Sequence, residues 1–93
     1  MISRFTLIGN IINIEEPRLS ASGIETVLVN VEVEEDNFPI LLQGKLASLV
    51  KENKLKTNDT VYVEGRLKKD KTFSTSAAKA VCVFFATYLN VLS

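Results

Sequence analysis

Four valines at strict period two, Val27, Val29, Val31 and Val33, constrain this chain more than any other feature. Leu28, Asn30 and Glu32 alternate with them, and Thr26 and Glu34 flank the set. β-Branched residues at that spacing specify a strand with one face on a core and the other towards water. A second word of this kind, Val61-Tyr62-Val63-Glu64-Gly65-Arg66-Leu67, follows a polar turn and precedes Lys68, Lys69, Asp70 and Lys71. Here Val61, Val63 and Leu67 are expected to face inward, and Tyr62, Glu64 and Arg66 outward. Its glycine stands where a strand of a small barrel has to bend.

The other elements follow from the same patterning. Residues 4–14 read as an apolar-rich strand, with Phe5, Leu7, Gly9 and Ile11 on one side and Thr6, Ile8, Asn10 and Ile12 on the other. The turn-rich segment 15–23, holding Pro17 and Gly23, ends it. Glu35, Asp36 and Asn37 read as a tight hairpin connection, and residues 38–43 as a returning strand whose start Pro39 places at an edge. At residues 45–53 the period changes: Leu46, Leu49, Val50 and Asn53 fit one short helix. Residues 54–59 read as a polar loop, 60–68 as a strand, 69–78 as a loop and 79–92 as a last strand. Three strands, a helix and two strands give an all-β chain with one short helix. That is the element order of a five-stranded oligonucleotide/oligosaccharide-binding (OB) barrel, expected as one domain over residues 1–93.

The last strand is apolar on both rows. Val81, Val83, Phe85, Leu89 and Val91 form one, and Cys82, Phe84, Ala86, Tyr88 and Leu92 the other. A barrel buries one side of its sheet, so the second row needs cover. A subunit interface supplies it, or Phe84 or Tyr88 serves as a stacking platform for bases.

Composition removes whole classes of function. With no histidine and a single cysteine, Cys82, the chain has no credible catalytic dyad, no zinc site and no internal disulfide. Neither an enzyme nor a cofactor is expected. Cys82 reads as a buried small hydrophobe. No apolar run approaches the ~20 residues of a membrane helix, and no signal pattern opens the chain, so a cytoplasmic protein is expected. Net charge is zero but segregated. Residues 15–36 hold seven acids against Arg18 alone, whereas residues 45–79 hold nine bases against four acids. Such asymmetry fits one face made for phosphates and one that repels them.

Short words along the chain resemble the bacterial single-stranded DNA-binding protein family. Leu7-Ile8-Gly9-Asn10, preceded by Arg4, is similar to its first-strand signature, and Glu16-Pro17-Arg18-Leu19 with Gly23 to the turn that follows. Gly44-Lys45-Leu46-Ala47 resembles the start of the family helix, and the word from Val61 to Leu67 its fourth strand. Ser20-Ala21-Ser22-Gly23-Ile24 and the short length are also similar to a tailless dimeric relative, the primosomal replication protein. The resemblance implies an OB barrel, self-association through the first strand, and DNA binding across a basic surface studded with aromatics. Three features depart from the family pattern. The chain has no tryptophan and carries Gln43 where an aromatic is expected, its second hairpin is short and acidic, and it ends without an acid-tipped tail.

Binding of a single strand needs a cationic groove for the backbone and aromatic faces for bases. The residues that fit are Arg66, Lys68, Lys69, Lys71 and Phe73 around the loop before the last strand, with Tyr62 beside Arg66, and Arg4, Lys45 and Lys79 as additions. The expected function is largely sequence-independent binding of single-stranded DNA, with RNA not distinguished, in replication, repair or recombination. The expected assembly is a homodimer or homotetramer. The alternative is an OB module that has lost nucleic-acid binding and assembles with a replication or repair protein.

Overall fold

The computed structural model describes residues 3–70 and 81–93. Its elements run β1 (Arg4–Ile14), β2 (Arg18–Leu19), β3 (Glu25–Val33), β4 (Asp36–Gln43), α1 (Lys45–Lys51), β5 (Thr60–Asp70) and β6 (Val81–Val91). β1 pairs antiparallel with both β5 and β3, β3 with β4, and β5 with β6. β6 then meets β4 in parallel at Ile40 and Leu41. The circuit closes on itself as a five-stranded OB barrel, with β2 appended to β3. Closure removes the open edges that a flat sheet of this size would expose.

β1 serves two partners because it bends. Residues 4–10 pair with β5 and residues 10–14 with β3, and the register breaks between Ile11 and Asn13. Gly9 sits at this crossing. A Cβ there would run into the Glu32 carbonyl and lie 2.8 Å from Val33 and 2.9 Å from Val31. Only a residue without a side chain lets β1 cross β3 so closely.

The inward rows form the core: Ile11, Val27, Val29, Val31, Ile40, Leu42, Val61 and Val63 are fully buried. α1 packs on β3, β4 and β6, with Ala47 buried and Leu46, Leu49 and Val50 around it. The helix stops at Lys51, two residues short of the expected end at 53. Asn53 takes a left-handed φ of 58°, its N–H donates to the Val50 carbonyl, and the Lys54 N–H donates to the Leu49 carbonyl. This paired closure reverses the chain. Leu55, expected in a polar loop, is a core residue only 2% exposed.

Other boundaries move for local reasons. β3 and β4 are joined by Glu34 and Glu35 alone, both at positive φ (49° and 75°), with Val33 opposite Asp36. A two-residue turn of that handedness matches the twist of the strands it joins. The connection therefore starts one residue earlier than expected, and Asp36 and Asn37 belong to β4. Arg18 and Leu19, expected within a turn, pair with Thr26 and Glu25. β5 continues to Asp70, and β6 spans Val81–Val91.

β6 departs furthest from the expected alternation. Glu64 pairs with Tyr88 but Gly65 with Ala86, so Thr87 has no partner in the ladder. This bulge inverts the alternation beyond it. Phe84 packs edge-to-face on Phe5 (5.1 Å) and on Phe38 (5.8 Å), and Leu89 joins the core. Phe85 and Tyr88 face outward. The two continuous rows expected from the sequence are thus broken at Thr87: Phe85 and Leu89 lie on opposite faces, as do Phe84 and Tyr88. Among the described residues no helix is long and apolar enough to cross a membrane.

Candidate nucleic-acid interface

Three outward side chains stand in one transverse row. Arg4 pairs with Arg66 across β1 and β5, and Arg66 pairs with Phe85 across β5 and β6. Neighbouring strands lie about 4.8 Å apart, so the row is a compact platform rather than a scattered set. A cleft of about 360 Å³ opens over it, with Lys68, Gln43 and Glu64 also lining the walls. The Lys68 Nζ lies 5.3 Å from the centroid of the Phe85 ring, a cation–π contact.

The cleft holds Arg4, Arg66 and Lys68 against one carboxylate, Glu64. Among the described residues the ion pairs are Lys51–Glu25 and Lys54–Glu52, so the three cleft cations have no such partner. Arg4 and Arg66 face one another directly. Like charges in that relation destabilise a sheet. An anion placed between them would relieve the repulsion, and a planar ring laid on Phe85 would lie beside it.

The expected site residues divide by position. Arg4, Arg66 and Lys68 come together in the cleft. Lys45 is exposed at the first residue of α1 and does not line it. Tyr62 lies further along β5, opposite Ile8 and edge-to-face with Tyr88 at 6.0 Å. Hydrogen bonding to Glu64, with a smaller effect of burial, raises its phenol above the ordinary value. Ile8 and Tyr88 are 56% and 50% exposed, so Tyr62 belongs to an apolar outer patch beside the cleft rather than to the cleft. The backbone of Lys69 is in β5. The Lys69 and Cys82 side chains, and Lys71, Phe73 and Lys79 entirely, lie outside the described residues.

Phe85 is the residue that sequence reasoning missed. Alternation counted straight through 79–92 put it in one row with Leu89, and only the bulge at Thr87 separates the two. The tandem Phe84-Phe85 was the available signal. Adjacent residues of a strand point to opposite faces, so one of the two rings had to face outward.

No protein-family model matches the chain, and no curated protein matches it by sequence. Solved structures do match it in shape. A mitochondrial single-stranded DNA-binding protein from S. cerevisiae superposes with a TM-score of 0.78 at 13% identity, covering 100% of this chain and 96% of that one. The protein PriB from Ralstonia solanacearum gives 0.74 at 17% identity, with both chains covered in full. The SSB domain of a Synechococcus protein gives 0.73 at 14% identity, over 97% of this chain and 96% of that one. At such identities the likeness is one of fold, and it agrees with the family resemblance carried by the short sequence words: the chain is built as an OB barrel of the same shape as these three proteins.

Proposed function

We propose that this protein binds single-stranded DNA, largely without regard to sequence, as a non-enzymatic cytoplasmic component of replication, repair or recombination. The observation that carries the reading is the placing of Phe85 beside Arg4, Arg66 and Lys68 in one open cleft. Phosphates are neutralised by the three cations, and a base stacks on the Phe85 ring in place of the Lys68 ammonium. The matching shapes of two single-stranded DNA-binding proteins support it. The test is fluorescence anisotropy of a labelled oligothymidylate of about 30 bases at low and moderate salt, with duplex and RNA competitors. Micromolar or tighter binding that weakens steeply with salt and resists duplex competition is expected. No binding at low salt would remove the reading and leave a barrel that assembles with a replication or repair protein.

The same reading includes self-association. Ile8, Tyr62 and Tyr88 offer an apolar outer patch beside the cleft, and burying it between copies would stabilise a domain of this small size. Light scattering at micromolar concentration is expected to give a dimer or tetramer, and Ile8→Glu to shift it to monomer. A wild-type monomer would refute the assembly while leaving the cleft untouched.

A further inference from the structure

A second cleft, of about 200 Å³, lies on the same outer face with the charge balance reversed: two carboxylates against one arginine, where the first has three cations against one carboxylate. Its lining is Glu15, Glu16, Arg18, Thr26, Leu28 and Leu41. We infer that it is a nucleobase subsite selective for bases that carry an exocyclic amine beside a ring acceptor, as cytosine and adenine do. The inference rests on the single-strand reading above and narrows it: the phosphate contacts are indifferent to sequence, and this subsite is not.

Leu41 is the cross-strand neighbour of Phe85, and Thr26 that of Gln43, so each cleft holds one member of both pairs. A strand whose backbone lies on Arg4, Arg66 and Lys68 needs to cross only β4 to bring a base from the Phe85 ring to the second cleft. Two strand spacings, about 10 Å, separate β6 from β3.

The floor of the cleft is apolar. Leu41 is only 2% exposed, yet it alternates with Ile40 and Leu42 of the core and does not belong to that core. Leu41 and Leu28 are themselves cross-strand neighbours, an apolar pair on the outer face of the barrel. The volume is below the range of about 300–1,000 Å³ that drug-sized ligands occupy, and suits a single ring. The segment that walls it is held down: the Glu15 N–H donates to the Leu28 carbonyl at 2.9 Å, and the Thr26 hydroxyl to the Arg18 carbonyl at 3.2 Å.

The wall sets the selectivity. Two carboxylates repel phosphate, so the backbone stays in the basic cleft and the base enters. Carboxylates accept hydrogen bonds and donate none. They suit the N4 amine of cytosine, or the N6 amine of adenine, and they oppose the O4 carbonyl that thymine presents at the same place. Arg18 supplies the complementary donor for the neighbouring ring acceptor.

The experiment compares labelled oligocytidylate and oligothymidylate, of equal length, by anisotropy on the wild type and on Glu15→Gln/Glu16→Gln. Glutamine keeps the size but offers donor and acceptor alike, and circular dichroism checks that the fold is kept. Wild type is expected to bind oligocytidylate about tenfold more tightly. The double variant should gain affinity for both strands, through lost repulsion, while the ratio falls towards one. Salt-dependent binding of both strands with equal affinity in the wild type would overturn the base subsite and leave the single-strand reading standing. A ratio unchanged in the double variant would do the same. Binding of neither strand would remove both.

Discussion

Arg66→Glu is expected to weaken single-strand binding by about a hundredfold at low salt while leaving the protein as stable as before, or more so. A charge-assisted contact contributes about 1.5–3 kcal/mol, and reversal adds repulsion where attraction is lost. Each phosphate no longer neutralised also lowers the slope of log affinity against log salt by about 0.7 for a single strand. The stability half of the prediction comes from the sheet. Arg66 stands directly opposite Arg4, and like charges so placed cost roughly 0.2–1 kcal/mol relative to a neutral pair. Glutamate at 66 converts repulsion into attraction across β1 and β5. A pair that is a liability to the fold and an asset to an anion is what a binding site leaves in a sequence. Phe85→Ala separates the two parts of the mechanism: it should cost about 1–3 kcal/mol of binding and leave the salt slope unchanged. Anisotropy across a salt series, beside thermal unfolding of each variant, reads all of these. Wild-type affinity in Arg66→Glu would move the binding face away from this cleft.

The parts of the molecule legible in the sequence are those governed by local periodicity. β1 has the bounds its pattern predicts, and the valines of β3 all face the barrel interior, because an alternating pattern admits one register on a buried face. Failure came where a single backbone irregularity resets the count. The unpaired Thr87 adds one residue to β6 against β5, and every residue beyond it changes face. Nothing in the composition of Ala86-Thr87-Tyr88 marks a bulge. Leu55 was lost in a polar loop for a similar reason, since its burial depends on the left-handed Asn53 turning the chain back on the barrel. Glu34 and Glu35 occupy positive φ without the Asn or Gly that would have announced a two-residue turn. For the cleft, Arg66 and Lys68 were legible together as neighbours on one strand, and Arg4 only as an addition whose place the sequence could not give. Arg4 and Arg66 are 62 positions apart (66 − 4) and meet only through the β1–β5 register.

Gly65→Ala is expected to be the most damaging single-methyl substitution in the described barrel wall, ahead of Gly9→Ala, costing about 3 kcal/mol or more. Gly65 does not occupy the left-handed region, so the cost does not come from backbone conformation. It comes from space. A Cβ would collide with the Phe85 carbonyl and lie 2.6 Å and 2.8 Å from the Phe5 ring. The Phe5 ring is already held edge-to-face by Phe84, and the Phe85 carbonyl belongs to the strand beside the bulge. Relief therefore requires opening the β5–β6 ladder where the bulge has already weakened it. Gly23→Ala is the control, because its φ of 84° strains an alanine but no atom lies within 4 Å of the new Cβ. It should cost about 1 kcal/mol. Against a total of about 5–14 kcal/mol for a chain of this length, the first change removes a large share of the stability and the second a small one. Urea unfolding midpoints of the two variants test this directly. Equal midpoints would mean that β5 and β6 do not approach as closely as the structure places them, and the Phe85 platform would lose its geometric basis with them.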